Sequence, residues 1–222
     1  MKPFLPLLCG LALCVSAHAQ KQIEQTYAVK PTTEVKLDLP FATTIAVTPG
    51  QPGAVVFQAS VSINDGQDDD AFQYRVTQTD DRLSLESEIE NLKELSRQHY
   101  HDRNVYSADD DWLRIYITLQ VPPRQSVYLR TISGDVELDH NGGPLDVQSV
   151  GGDVELRIAE SQSARFDLKT IGGEIFTNLD LPTQPQSGRF QVGAQYEGDW
   201  HGGQVPITLA STGSNLYIRK KE

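Results

Sequence analysis

Thr131-Ile132-Ser133-Gly134-Asp135-Val136-Glu137-Leu138 is followed by Ser149-Val150-Gly151-Gly152-Asp153-Val154-Glu155-Leu156 and then by Thr170-Ile171-Gly172-Gly173-Glu174-Ile175-Phe176-Thr177. A fourth, more divergent copy closes the chain: Ser211-Thr212-Gly213-Ser214-Asn215-Leu216-Tyr217-Ile218. Anchored on Asp135, Asp153, Glu174 and Asn215, the copies lie 18, 21 and 41 residues apart, the last interval being close to two periods. Recurrence at about twenty residues indicates units that stack on one another.

Eight and six positions before the anchors stand Val127 and Leu129, Leu145 and Val147, Phe166 and Leu168, Ile207 and Leu209. One and three positions after them stand Val136 and Leu138, Val154 and Leu156, Ile175 and Thr177, Leu216 and Ile218. Apolar and polar residues therefore alternate on both sides of each anchor, the period of strands buried on one face. Each unit reads as strand, corner, strand. Gly134, Gly152 and Gly173, immediately before the acidic anchors, are expected to turn the chain, because glycine enters positive φ without a Cβ penalty. One unit of this size cannot bury its own apolar face, so stacking must supply the core. The pattern predicts an all-β chain, a β-solenoid resembling a single-stranded β-helix. Parallel in-register stacking is favoured because equivalent positions carry equivalent residue types. An antiparallel meander with hairpin turns at the corners, or an ordinary sandwich, is the alternative.

The repeated Thr/Ser-x-Gly/Ser-Gly-Asp/Glu-Val/Ile units follow a β-rich half that ends in Leu119-Gln120-Val121-Pro122. In this respect the chain resembles the bacterial DUF4097 family of "putative adhesins" over residues 32 to 219. The resemblance implies an exported β-solenoid-like protein and brings no catalytic residues. The chain departs from the pattern over residues 188–200, where Gly198-Asp199-Trp200 looks like a corner but Gln191 and Gly193 occupy strand positions that should be apolar.

Residues 1–19 read as an export signal: Lys2, an apolar run from Phe4 to Val15, and the small-x-small site Ala17-His18-Ala19, with cleavage expected before Gln20. The run is too short for an ordinary membrane-spanning helix. Both cysteines, Cys9 and Cys14, lie inside it, each preceded by leucine, which argues against lipid anchoring. Of 19 Lys and Arg, Lys2 alone is lost with the signal, leaving 18 against 30 acidic residues, a net charge of −12. That balance excludes nucleic acid and anionic membrane as favoured partners, and leaves cations, basic proteins and neutral glycans.

From Thr33 to Ile89 short alternating segments recur between turn signals such as Pro49-Gly50-Gln51-Pro52-Gly53 and Asp80-Asp81. An N-terminal half over residues 20–122 and a repeat half over residues 123–222 are expected to form one continuous domain. An excursion over residues 87–111 interrupts the rhythm. Ser87 and Glu90 suggest a capping box, and Ile89, Leu92 and Leu95 fall at helical spacing, so a short helix to about Gln98 is expected, followed by a polar loop from Arg97 to Asp111.

Chemistry has few candidates. His99 and His101, with Asp102 and Asp109 to Asp111, could ligate a transition metal only if the loop folds back. The turn from Asp65 to Asp70 lacks the ligand order of an EF-hand loop. In-register stacking would align Asp135, Asp153 and Glu174 in a carboxylate column, with Glu137 beside Glu155. Such a ladder could take calcium, or could be offset by Arg130 and Lys169. No nucleophile elbow or phosphate loop is present, and His140 and His201 stand in glycine-rich turns. The sequence therefore points to an exported, periplasmic or surface-associated binding, adhesin-like or scaffold module. It is expected to be monomeric and without a cofactor, and to meet an envelope protein or glycan. A carbohydrate-active enzyme using acidic residues of the solenoid face, or a divalent-cation-dependent structural protein, is the alternative.

Overall fold

The alternation around each anchor becomes a set of strands with one face inside. A computed structural model of the chain describes residues 20–100, 112–182 and 193–221. The first half supplies β1 (Lys21–Ala28), β2 (Glu34–Asp38), β3 (Phe41–Pro49), β4 (Ala54–Ile63), β5 (Phe72–Gln78), β6 (Arg82–Ile89), helix α1 (Leu92–Tyr100) and β7 (Leu113–Val121). The second supplies β8 (Val127–Thr131), β9 (Ser133–Asp139), β10 (Leu145–Ser149), β11 (Val154–Ile158), β12 (Ala164–Ile171) and β13 (Ile175–Thr177). It ends with β14 (Ala194–Trp200), β15 (Val205–Thr212) and β16 (Leu216–Lys220).

These strands form two open sheets of eight, in the orders β1-β4-β7-β3-β9-β11-β16-β13 and β14-β12-β15-β10-β8-β2-β6-β5. One apolar core joins them, and Phe57 of the first sheet meets Tyr74 of the second with ring centroids 5.3 Å apart. No helix among the described residues is long and apolar enough to cross a membrane.

Each repeat unit places its first strand in the second sheet and its second strand in the first. Equivalent residues pair in parallel and in register: Val136 opposite Val154, Val154 opposite Leu216, and Leu216 opposite Ile175. On the other sheet the column runs Leu37, Leu129, Val147, Leu209, Leu168, every member fully buried. Full burial of such a side chain stabilises by about 1.5–3 kcal/mol, so each rung depends on its neighbours. The strands β2 and β3 make a fifth rung, with Val35 and Ile45 opposite Val127 and Val136.

The order of the rungs differs from the order of the chain. The last unit, β15–β16, lies between β10–β11 and β12–β13. The molecule is thus a pair of large mixed sheets, with antiparallel strands β1, β4, β5 and β14 added to the parallel rungs. It is not a coil wound in sequence order.

Three local expectations need correction. Gly134 (φ 100°) and Gly152 (φ 90°) turn the first two corners, but the third uses Gly172 (φ 83°) rather than Gly173, and the fourth uses Gly213 (φ 95°). Gly173 is required for space instead, since a Cβ there would lie 2.0 Å from the Ser214 carbonyl oxygen. Ser87 caps no helix: β6 stays paired with β5 as far as Ile89 opposite Phe72, so Ser87 is a buried strand residue and α1 begins at Leu92. Gly198-Asp199-Trp200 is the end of β14, an edge strand antiparallel to β12, rather than a corner.

Candidate functional site

The corners explain why the repeat keeps its acids. Asp135 Oδ1 accepts a hydrogen bond from the Asp153 amide at 2.8 Å, Asp153 Oδ1 from the Asn215 amide at 2.9 Å, and Asn215 Oδ1 from the Glu174 amide at 3.0 Å. The side chains of Asp135, Asp153 and Asn215 therefore each reach one rung along and satisfy the backbone donor that a corner would leave open. The expected column of Asp135, Asp153 and Glu174 is corrected in two respects. Neutral Asn215 separates Asp153 from Glu174, and the carboxylates of Asp135 and Asp153 are engaged with amides rather than turned to a common ion.

A second ladder lies four residues before each anchor. Thr131, Ser149, Thr170 and Ser211 are all buried. Thr131 donates to the Ser133 carbonyl at 2.9 Å, Ser149 to the Gly151 carbonyl at 2.9 Å, and Thr170 to the Ser214 carbonyl at 2.6 Å. The first position of the sequence motif carried this signal, although composition alone assigned it no task.

Rows of charge across the outer faces are balanced strand by strand. Glu137 stands opposite Glu155, and Arg157 contacts both, at 3.3 and 2.9 Å, with Asp139 at 3.6 Å and Arg219 on Glu155 at 3.6 Å. The Glu155 hydrogen bond is the main reason the Arg157 guanidinium is held above its ordinary pKa. Arg130 and Lys169 do not offset this column, because β8 and β12 belong to the other sheet. There Arg130, Asp38, Glu86 and Arg75 form a row in register across four strands. Asp38, Glu86, Glu88 and Glu90 line an adjoining hollow of about 420 Å³. Asp146, on β10, is different: burial pushes its carboxyl above the usual range, a Gln148 hydrogen bond opposes that, and Asp167 adds to it.

The acidic turn after β4 is self-contained. Asp69 Oδ1 accepts from the Ile63 amide at 2.7 Å, Arg114 contacts Asp65 at 2.7 Å, and Lys21 contacts Asp70 at 2.9 Å. Among the described residues no three His, Cys, Asp or Glu side chains are placed to hold a metal ion. The His99 side chain, His101 and the loop 101–111 lie outside the described residues, as do the export signal 1–19 and residues 183–192. His140 is buried against Gln162 and the Gly143 carbonyl, at 2.6 and 2.9 Å, while His201 turns the chain at φ 51° beside Trp200.

What the corners present outward is apolar. Ile132, Val150 and Ile171 are 42, 52 and 43 % exposed, three of the five large apolar side chains left in solvent among the described residues. All three stand three positions before their anchors, and Thr212 fills that place on the intervening rung. They form one row along the stacking direction.

No family model and no curated protein matches the chain. Among solved structures, a "putative cell adhesion protein" from Clostridium sporogenes superposes with a TM-score of 0.56 at 13% identity, covering 90% of this chain and 100% of that one. A "putative adhesin" from Bacteroides fragilis covers 90% of this chain and 98% of its own at 13% identity, with a TM-score of 0.25. The first similarity is one of fold.

Proposed function

We propose that the protein is an exported, non-catalytic module of the bacterial cell envelope that binds another envelope component, a protein or a glycan, in the adhesin-like manner of the DUF4097 family it resembles. Its rungs act as a stiff, solenoid-like rod, and its working form is a monomer in the periplasm or at the surface. The observation that carries this reading is the exposed row Ile132, Val150 and Ile171, held in register by a corner whose own hydrogen bonds are satisfied from within. Two further features support binding over catalysis or cation dependence. Glu137, Glu155, Asp38 and Glu86 on the outer faces stand beside cations, and the corner acids Asp135 and Asp153 receive backbone amides. The fold shared with the Clostridium sporogenes protein is compatible with the same role.

The test is retention of the signal-free chain on isolated cell-envelope fractions. Replacing Ile132, Val150 and Ile171 together by Ser is expected to leave the unfolding temperature unchanged and to weaken retention by at least about tenfold, one apolar contact of ~1.4 kcal/mol being sufficient for that. Equal retention of the two chains would remove the row from the binding surface.

A further inference from the structure

Resting on that binding reading, we infer that the end of the molecule formed by β13 and the start of β14 is a glycan site, built to take a neutral chain of equatorially substituted hexopyranoses. The hydrogen-bond ladder of the corners ends there. Asp135, Asp153 and Asn215 each lend an oxygen to the next rung, but Glu174 belongs to the last rung of its sheet and serves no amide among the described residues. Its exposed carboxylate thus faces solvent with acceptor capacity that the other anchors have used.

Beside it the only stacked pair of outward aromatics among the described residues meets the same edge. Phe176 and Tyr217 lie on neighbouring strands in register, with centroids 5.1 Å apart and planes within 14°. Arg219, two residues along the same strand, sits over the Tyr217 ring at 5.2 Å. Since β13 is the edge strand, no strand among the described residues lies beyond Phe176 in this sheet, and Phe176 is 44 % exposed. A hollow of about 650 Å³ opens over these groups, lined by Gly172, Glu174, Phe176, Gly193, Asn215 and Tyr217. It is a shallow depression, widely open to solvent.

The chemistry of the lining selects the ligand. A flat aromatic surface takes the C–H face of a pyranose whose hydroxyls are equatorial, since those hydroxyls then point sideways and the ring can lie flat. A carboxylate accepts two neighbouring hydroxyls, and the Asn215 amide, whose Oδ1 accepts from Glu174 and whose Nδ2 donates one N–H to the Tyr217 hydroxyl at 3.4 Å, has its second N–H to offer. At Gly172, where a Cβ would meet nothing nearer than 3.7 Å, a sugar ring can approach the backbone. A free carboxylate within a chain of strongly negative charge repels acidic glycans, so the ligand is neutral.

The experiment is calorimetric titration of the signal-free chain with cellohexaose and with chitohexaose, which separates a plain glucan from an N-acetylated chain. Saturable binding to at least one is expected, weakened at least tenfold by Phe176→Ala, similarly by Phe176→Leu, which keeps apolar bulk without a flat face, and several-fold by Glu174→Gln. Tyr116→Ala, on an exposed aromatic away from this edge, serves as the control and should bind as the parent does. An absence of heat with both hexaoses, or equal affinity of the parent and the two Phe176 variants, overturns the site. If the parent is retained on envelope fractions in that case, the binding reading stands and only its glycan site falls; if it is not retained, both fall.

Discussion

Asp153 shows how one side chain decides between two explanations of the same repeat. A cation ladder needs its charge, whereas a backbone acceptor needs only an oxygen at the right reach, and Asn215 already performs that task without charge. Asp153→Asn is therefore expected to leave the unfolding free energy within about 0.5 kcal/mol of the parent. Asp153→Ala strands the Asn215 amide and is expected to cost about 1–2 kcal/mol. Denaturant unfolding of both, with and without calcium, checks this. A calcium-dependent gain in the parent that Asp153→Asn abolishes would restore the metal reading. The sequence displayed the anchor clearly, but the partner of each anchor could not be read from it, because the accepting oxygen and the donating amide lie on different units.

At the scale of the strand, apolar periodicity was a dependable guide wherever both neighbours were present. Val127 to Thr131, Leu145 to Ser149 and Leu83 to Ile89 emerge as expected from alternation alone. It failed at the edges. The strand β1 carries only Ile23 and Tyr27 as half-buried apolar residues, too little alternation to be visible, and it is held by the ladder with β4. The strand β14 pairs through Tyr196, Gly198 and Trp200, and the glycine in its middle disguised it as a corner. Ser87 misled for the opposite reason, being a polar residue on an inward face.

One strand also carries a measurable electrostatic cost. Asp146 and Asp167 flank Thr208 of β15 in the same row, and the Asp146 carboxyl is raised above its ordinary value chiefly by burial. A carboxyl whose folded pKa lies above the unfolded one disfavours folding when ionised, and that cost fades as pH falls through the folded value towards the unfolded one, near about 3.9. Asp146→Asn is therefore expected to raise the unfolding temperature at pH 7 and to make no difference near pH 3.5. Thermal melts across that range check the sign. An advantage that grows as the solution is acidified would contradict it.

For the whole molecule, the sequence established which residues face one another but not which unit lies beside which. Val, Leu and Ile recur at every equivalent position but those of Phe166 and Thr177, so most rungs could dock on one another in register, and chain order gives no guarantee of neighbourhood. In the structure β12 and β13 reach the rest of the body only through β15 and β16. A chain ending at Gln204 is expected to leave Phe166 and Leu168 without their β15 partners. Limited proteolysis should then cut within β12, Ala164 to Ile171, of the truncated chain, a strand that stays protected in the parent. Continued protection would mean that β12 docks directly on β10.

The position of the last rung also governs when the fold can be completed. A polypeptide delivered amino-terminus first presents β12 to β14 before the strands that join them to the body exist. Both sheets stay open at the same place until the final segment, Val205 to Lys220, arrives. Parallel pairing at such separations is slow to form, and here it is withheld by sequence order itself. Closure of the two sheets is therefore expected to wait for that segment, however early the other rungs are made.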